Sequence, residues 1–320
     1  MELRWPTDFR GWFQVGWSTD ITHGEPTQLR ALGNQLTARR TSSGLVTVTD
    51  SRCPHLGANL GRGTVSGDAI RCPLHGWEWG CDGSNTKIPY QNDTAQSVRL
   101  RIWPSREVFG MLFVWFGTLG EAPTHEPVQP GGFLETGLQG GRLLGGAESG
   151  RTRIGPIEVD PRLAIEDRVD TNHFIGPHQT NPPILDGHWV DGPYFSTRML
   201  LAGDRHSNSE VLSTVTGIGV SALQVSTSTF KEYVVLSVTP VDEELSMVYY
   251  TVWVEPQTGR EDDTVLERVL TMMRQELSED IEIWRYMRHS PLPSDPAAAQ
   301  PSLTAMREWA TQFLVATPAS

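Results

Sequence analysis

Cysteine is scarce in this chain of 320 residues: three in all, Cys53, Cys72 and Cys81. Three cysteines exclude a disulfide framework and point to a reducing compartment. No apolar stretch approaches the length needed to span a bilayer. The opening Met1-Glu2-Leu3-Arg4-Trp5-Pro6 lacks the charged-then-apolar order of a secretory signal, so we expect a cytoplasmic protein. Positive charge is also short. The net charge of -12 speaks against nucleic acid and anionic membranes as partners, and is compatible with plain solubility or with docking a basic surface. A dinucleotide fingerprint is missing, because Gly57-x-x-x-Gly61-x-Gly63 is not a strand-turn-helix G-x-G-x-x-G. No internal repeat or low-complexity tract is evident.

What the chain does have is a mixed pair of half-sites, Cys53-Pro54-His55 and Cys72-Pro73-Leu74-His75. Two thiolates and two imidazoles are often a structural zinc site. Zinc fingers, however, pair Cys with Cys and His with His along the chain. Here each half-site mixes the two, with a Pro after each Cys and a Gly near each His. That arrangement suits two short loops around a two-iron cluster, with sulfur on one iron and nitrogen on the other. Cys81 is then left without a partner, either a small buried hydrophobe or a spare thiol.

The length favours two domains. Up to about Gly117 the chain reads as all-β. Short strand-like runs (12–16, 28–32, 35–39, 45–49, 98–103 and 111–116) are separated by turn residues, with Gly33-Asn34 as a hairpin signal. Residues 118–132 are rich in Gly, Pro and Thr and read as a linker. Residues 133–320 mix types. Helical spacing over Pro161–Phe174 is followed by strand-like runs at 194–200, 222–226, 233–239 and 247–254. A long helix is expected over 262–287 and a shorter one over 304–313. The fold class expected is α+β: an N-terminal all-β domain, 1–117, and a C-terminal domain in which an antiparallel sheet grips a long helix. Phe174, Ile175, Trp189, Tyr194, Phe195, Leu223, Val225, Phe230 and Trp253 are the residues available to line an apolar cavity there, or to fill an ordinary core.

A second metal site is suggested by Asp170-x-x-His173-x4-His178. Residues three apart share a helix face, and Gly176-Pro177 should end the helix and let His178 turn back. Two imidazoles and a carboxylate form the facial triad of non-haem Fe(II) sites. Alone, two histidines five apart are weak evidence, and surface or core histidines remain open. The third ligand should come from Glu276, Glu279 or Asp280 on the long helix, the remaining acids being a solvated face.

Cys53, His55, Cys72 and His75 resemble the Rieske family, and Asp170, His173 and His178 resemble the catalytic domain of Rieske non-haem iron oxygenases. The run from Cys72 to Trp79, Asp82-Gly83-Ser84, Ile88-Pro89-Tyr90, Asp280 to Trp284, and Met306-Arg307-Glu308-Trp309 with Gln312-Phe313 are similar to the 3-ketosteroid 9α-hydroxylase oxygenase group. Sterol desaturases and aromatic-acid demethylases share several of these motifs. The resemblance implies a Rieske [2Fe-2S] cluster on Cys53, His55, Cys72 and His75. It implies mononuclear Fe(II) on His173, His178 and Asp280, which best matches the family position. Asp170 would link that iron to the cluster of a neighbouring subunit in a homotrimer, or orient an iron-bound His. Electrons would come from NAD(P)H through a separate reductase or ferredoxin. The implied reaction is O2-dependent hydroxylation of a bulky, steroid-like substrate; the alternative is demethylation or dihydroxylation of a smaller aromatic one. The extra disulfide of respiratory-chain Rieske proteins is absent, with Ala58 and Leu74 in the matching places. The Asn that the family often carries three or four residues before the bridging Asp is replaced by Asp167 and Glu166.

Overall fold

Alternating short strands and tight turns build the first unit, Phe13–Pro123. The computed structural model describes residues 9–140, 143–146, 148–179, 181–202, 208–256, 263–290 and 300–315. One sheet orders Thr27–Ala31, Asn34–Arg40, Val46–Asp50 and Ile102–Trp103. A second orders Thr64–Ser66, Ala69–Arg71, Glu78–Trp79 and Asn85–Lys87. A third places Met111–Phe116 between Gly11–Trp17 and Ser105–Val108. The hairpin expected at Gly33-Asn34 turns one residue earlier. Ala31 pairs with Asn34, so Leu32-Gly33 is the two-residue loop, with φ of 45° and 71°. Two positive φ angles give the turn whose twist matches the flanking strands. Asn34 does not enter the loop; its amide donates to the Leu32 carbonyl at 2.6 Å.

The second unit takes the residues up to Trp12 together with those from Thr124 onward. Phe9 bridges Leu314 and Arg10 N–H donates to the Phe313 carbonyl, joining its start to its end, while Trp12 Nε1 donates to the His125 carbonyl at 2.7 Å where the chain re-enters the unit. The antiparallel sheet runs, in spatial order, Leu144–Gly145, Leu245–Pro256, Phe230–Asp242, Val220–Ser226, Ser209–Thr216, Tyr194–Leu201 and Ile184–Asp191. Arg151–Ile157 also pairs along Leu245–Pro256.

Four helices accompany it among the described residues: α1 (Phe133–Gly140), α2 (Pro161–Glu166), α3 (Asp263–Trp284) and α4 (Pro301–Ala310). The apolar stripe of α3, Val269, Leu270, Met273, Leu277, Ile281 and Trp284, is buried against the even-numbered residues of the two longest strands, among them Val234, Leu236, Val248, Tyr250, Val252 and Val254. Three-and-four spacing on a helix thus meets period-two spacing on a sheet. This is the expected α+β architecture of a sheet gripping a long helix. On the odd-numbered face α1 comes close: a Cβ at Gly137 would lie 2.3 Å from the Tyr233 ring, so glycine is what admits this approach.

The helix expected over Pro161–Phe174 is broken. α2 ends at Glu166, and a separate 3-10 turn covers Thr171–Phe174. Asp170 caps that turn, its carboxylate accepting from Asn172 N–H at 3.0 Å. Asp side chains compete for backbone donors in this way, which explains why the periodic segment is not one helix.

Candidate metal centres

The two cysteine loops share one backbone pattern. Cys53 N–H donates to the Ala58 carbonyl and accepts, through its own carbonyl, Gly57 N–H; Cys72 N–H donates to the Trp77 carbonyl and its carbonyl accepts Gly76 N–H. Gly57 and Gly76 close the loops at φ of 76° and 73°, a left-handed conformation that costs other residues about 1–2 kcal/mol. Both cysteines are buried. The histidines sit two residues after Cys53 and three after Cys72, yet their Nδ1 atoms meet at 3.3 Å.

Around these donors the packing is aromatic. Trp77 stacks on His55, ring centroids 4.2 Å apart and planes within 8°, and its Nε1 donates to Tyr90 Oη at 2.8 Å. So the aromatic residue after the second loop's histidine holds the histidine of the first loop. Trp79 is fully buried in the cluster with Cys53 and Cys72. Its Nε1 has no oxygen or nitrogen partner and lies against the Cys53 sulfur. Burial pushes the Cys53 thiol up, while the backbone at His55 and the Trp79 indole pull the other way. Two buried sulfurs, an indole N–H turned toward one of them, and two facing Nδ1 atoms fit the four ligands of a two-iron cluster. Cys81 is only half-buried. Its thiol donates to the Asp68 carbonyl at 3.3 Å and lies 3.7 Å from an Arg39 nitrogen.

His173, His178 and Asp280 come together in the second unit, one donor atom of each lying within 4.8 Å of the others. The histidines are set by the 3-10 turn and the segment after it, the aspartate by α3. Each imidazole is anchored through Nδ1: His173 to the Asp170 carbonyl, His178 to Glu279 Oε2 at 2.9 Å. Both Nε2 atoms are left without that anchor, and His178 Nε2 turns toward Asp280. His178 Nε2 lies 3.1 Å from Asp280 Oδ1, yet that buried oxygen makes no hydrogen bond of acceptable geometry. Two close donors aimed past each other fit a shared ion better than a mutual hydrogen bond.

Residues 11–104 match the Rieske [2Fe-2S] domain, and residues 114–314 match the 3-ketosteroid 9α-hydroxylase C-terminal domain. The chain belongs to the Rieske oxygenases. It is 27% identical over 330 residues to a 3-ketosteroid-9-alpha-monooxygenase oxygenase component of Rhodococcus rhodochrous, covering 97% of this chain and 82% of that protein. A second such component from the same organism is 32% identical over 194 residues, or 57% of this chain; this alignment spans about half, 48%, of the relative's length. In fold the chain is similar to dicamba monooxygenase bound to dicamba, with a TM-score of 0.70 at 17% identity, over 97% of this chain and 99% of that one.

In this Rieske oxygenase the acidic residues near the triad have separate tasks. Glu279, expected on a solvated helix face, is the acceptor for His178 Nδ1 and is itself held by Gln275 Nε2 at 2.9 Å. The signal was available: on a helix, the residue before a ligand can face the neighbouring ligand's other nitrogen. Burial opposes charge on His178, but the close Asp280 carboxylate and the hydrogen bond to Glu279 outweigh it and raise its pKa to about 9. Burial lowers the pKa of His173. His173 Nδ1 meets the backbone carbonyl of Asp170, not the carboxylate, which accepts from Asn172 N–H at the 3-10 turn.

Asp167 accepts from Trp284 Nε1 at 2.9 Å, and burial followed by the charge of Asp280 holds its carboxyl well above the usual range. Glu166 is an anchor. It accepts from Arg307 at 2.7 and 2.8 Å and lies 2.8 Å from His289 Nε2, tying α4 to α2.

Of the aromatic and aliphatic residues offered for a cavity, several are packing groups. Phe195 is fully buried between His188 and Trp309, and Tyr194 Oη donates to the Glu126 carbonyl. Trp253 lies on the sheet face opposite Val252 and Val254, beside Gly146. Trp189 and Ile175 are exposed. Phe230 and Leu223 do belong to the α3-facing cluster.

Proposed function

We propose that this chain is the terminal oxygenase component of a multi-part monooxygenase acting on a bulky hydrophobic, steroid-like substrate. The observation that carries the reading is the triad geometry: His173 and His178 are each held by Nδ1, donor atoms of both lie within 4.8 Å of Asp280, and His178 Nε2 faces the unbonded Asp280 Oδ1. A cluster alone would serve an electron carrier, which needs no such triad. Resemblance to 3-ketosteroid monooxygenase components over 97% of the chain supports the steroid class.

In this reading Cys53, His55, Cys72 and His75 hold the [2Fe-2S] cluster and His173, His178 and Asp280 hold Fe(II), within domains 1–117 and 133–320 joined by 118–132. Loaded, the cluster supplies electrons singly and the mononuclear iron activates O2. His178 would ligate as the neutral imidazole, its Nδ1–H donating to Glu279. The apolar side chains that face α3 would keep water from an apolar substrate bound beside them. Without a dinucleotide site the chain takes electrons from an NAD(P)H-dependent reductase or ferredoxin in the cytoplasm. Asp170 is the residue we assign to link the triad to the cluster of a neighbouring subunit in a homotrimer, a reading supported by the contact of its carbonyl with His173.

The test is a single turnover of chemically reduced, iron-loaded protein with labelled oxygen and a panel of ketosteroids and aromatic acids, read by mass spectrometry. One labelled oxygen in a steroid is the expected result. Product from an aromatic acid alone would move the substrate class to demethylation or dihydroxylation of a smaller ring.

A further inference from the structure

The strand Phe230–Asp242 turns its even-numbered residues toward α3, and Phe230, Val234, Leu236 and Val238 all join the apolar cluster there. Glu232 occupies the same face, 1% exposed. Its neighbours in register are Val254 on one side and Val225 on the other. Neither carboxyl oxygen has a hydrogen-bond partner. A buried, unpartnered carboxyl costs several kcal/mol by comparison with the valine that this position otherwise calls for, so its presence asks for a reason.

The surroundings suggest one. Glu276, on α3, acts electrostatically on Glu232, on Tyr250 and on His178, which places the buried carboxyl and the triad in one neighbourhood. Glu276 also lines a groove of about 430 Å³ along α3, with Met272 and Gln275. Gln275 is shared with a second groove of about 390 Å³ that reaches Glu279 and Pro177, beside the triad. The two grooves meet at Gln275, so Glu276, which acts on Glu232, and Glu279, which holds His178, line adjoining stretches of the same helix.

We propose that Glu232 is the specificity-determining residue of this oxygenase, its carboxyl hydrogen-bonding a ketone oxygen on an otherwise apolar substrate held between the sheet and α3. The assignment rests on the steroid reading above and adds to it which group of the substrate is recognised. Burial, with the charge of Glu276 behind it, pushes Glu232 up to about 8, so at neutral pH it carries a proton and donates to a carbonyl oxygen. A site built around one buried donor discriminates strongly against a ligand lacking the acceptor, because that donor is then left unpaired.

Three steroids differing only in oxygen test this on the iron-loaded protein: androstan-3-one, androstan-17-one and androstane, with Kd from tryptophan fluorescence and kcat/KM from product mass. Glu232→Leu should weaken binding of at least one ketone by about 10- to 100-fold while leaving androstane unchanged or tighter. Glu232→Gln keeps an N–H donor and should hold that ketone within about threefold of the wild type. Equal losses for all three steroids, or no loss for either ketone, would overturn the assignment while the steroid reading stands. If the wild-type protein binds none of the three, the steroid reading itself fails and this inference falls with it. Visible absorption of the cluster and the iron content of each variant confirm that the comparison is made on intact protein.

Discussion

The four candidate cluster donors lie between Cys53 and His75, on two loops that each close on themselves with the same pair of backbone hydrogen bonds. The triad spans His173 to Asp280, and its parts come from a 3-10 turn, an irregular segment and a helix. The first site is a local object, whose geometry follows once each loop forms. The second exists only when α3 is seated on the sheet. Orientation follows the same division. His55 is steadied by stacking on Trp77, a near neighbour of the other loop, whereas His178 is steadied by Glu279, 101 positions along the chain.

This contrast is most directly broken at the triad. His178→Ala should remove the mononuclear iron and lower turnover by about a thousandfold or more, with the cluster spectrum unchanged. Iron per protein and visible absorption check it; loss of the cluster in the same variant would mean the two sites are not separately built. Next in size is the anchor that seats α4 on α2. Glu166→Ala leaves Arg307 without its carboxylate partner and should destabilise the second unit by about 3–5 kcal/mol, read as the denaturation midpoint of tryptophan fluorescence.

Glu232 sharpens the comparison through pH. Its folded pKa, about 8, lies above the unfolded value of 4.5, so the native state holds the extra proton between them. That contribution is fully present below the unfolded pKa and declines as pH rises through the folded one. Relative to Glu232→Gln, the wild type should lose on the order of a few kcal/mol between about pH 4.5 and pH 8. Parallel stability curves for the two proteins would refute this. A smaller effect is expected of Glu279→Gln, which weakens the acceptor behind His178: iron affinity at the triad should fall about 10- to 100-fold, measured by chelator competition. The smallest is local to the loops. Gly57→Ala meets open space and only the cost of positive φ, about 1 kcal/mol. Gly76→Ala adds a contact at 2.9 Å with Pro89 and should release the cluster at a lower denaturant concentration than Gly57→Ala.

Legibility in the sequence followed chain distance. Strands rich in apolar, aromatic and β-branched residues, such as Tyr194–Leu201 and Leu245–Pro256, announce themselves. Ser209–Thr216 does not, because its buried Ser and Thr are satisfied across the sheet: Thr214 meets Ser196, and Ser213 meets Thr197. Ile184–Asp191 is mostly exposed and carries little alternation. The break in the helix after Glu166 was hidden because three-and-four spacing is satisfied by a helix and by a helix followed by a 3-10 turn alike. Glu279 was misjudged for a different reason. A carboxylate on a helix is solvated by default, and only the fold brings His178 to it.

What the sequence determined by itself was the chemistry available: which side chains can ligate, that the half-sites are mixed, and that one face of α3 is apolar. Those follow from residue type and spacing. Only the tertiary structure decided which nitrogen each histidine presents, that Glu279 and the Asp170 carbonyl hold the imidazoles, and that Glu232 is buried without a partner. These are relations between residues far apart in the chain, set by how sheet and helix pack, and no local pattern encodes them.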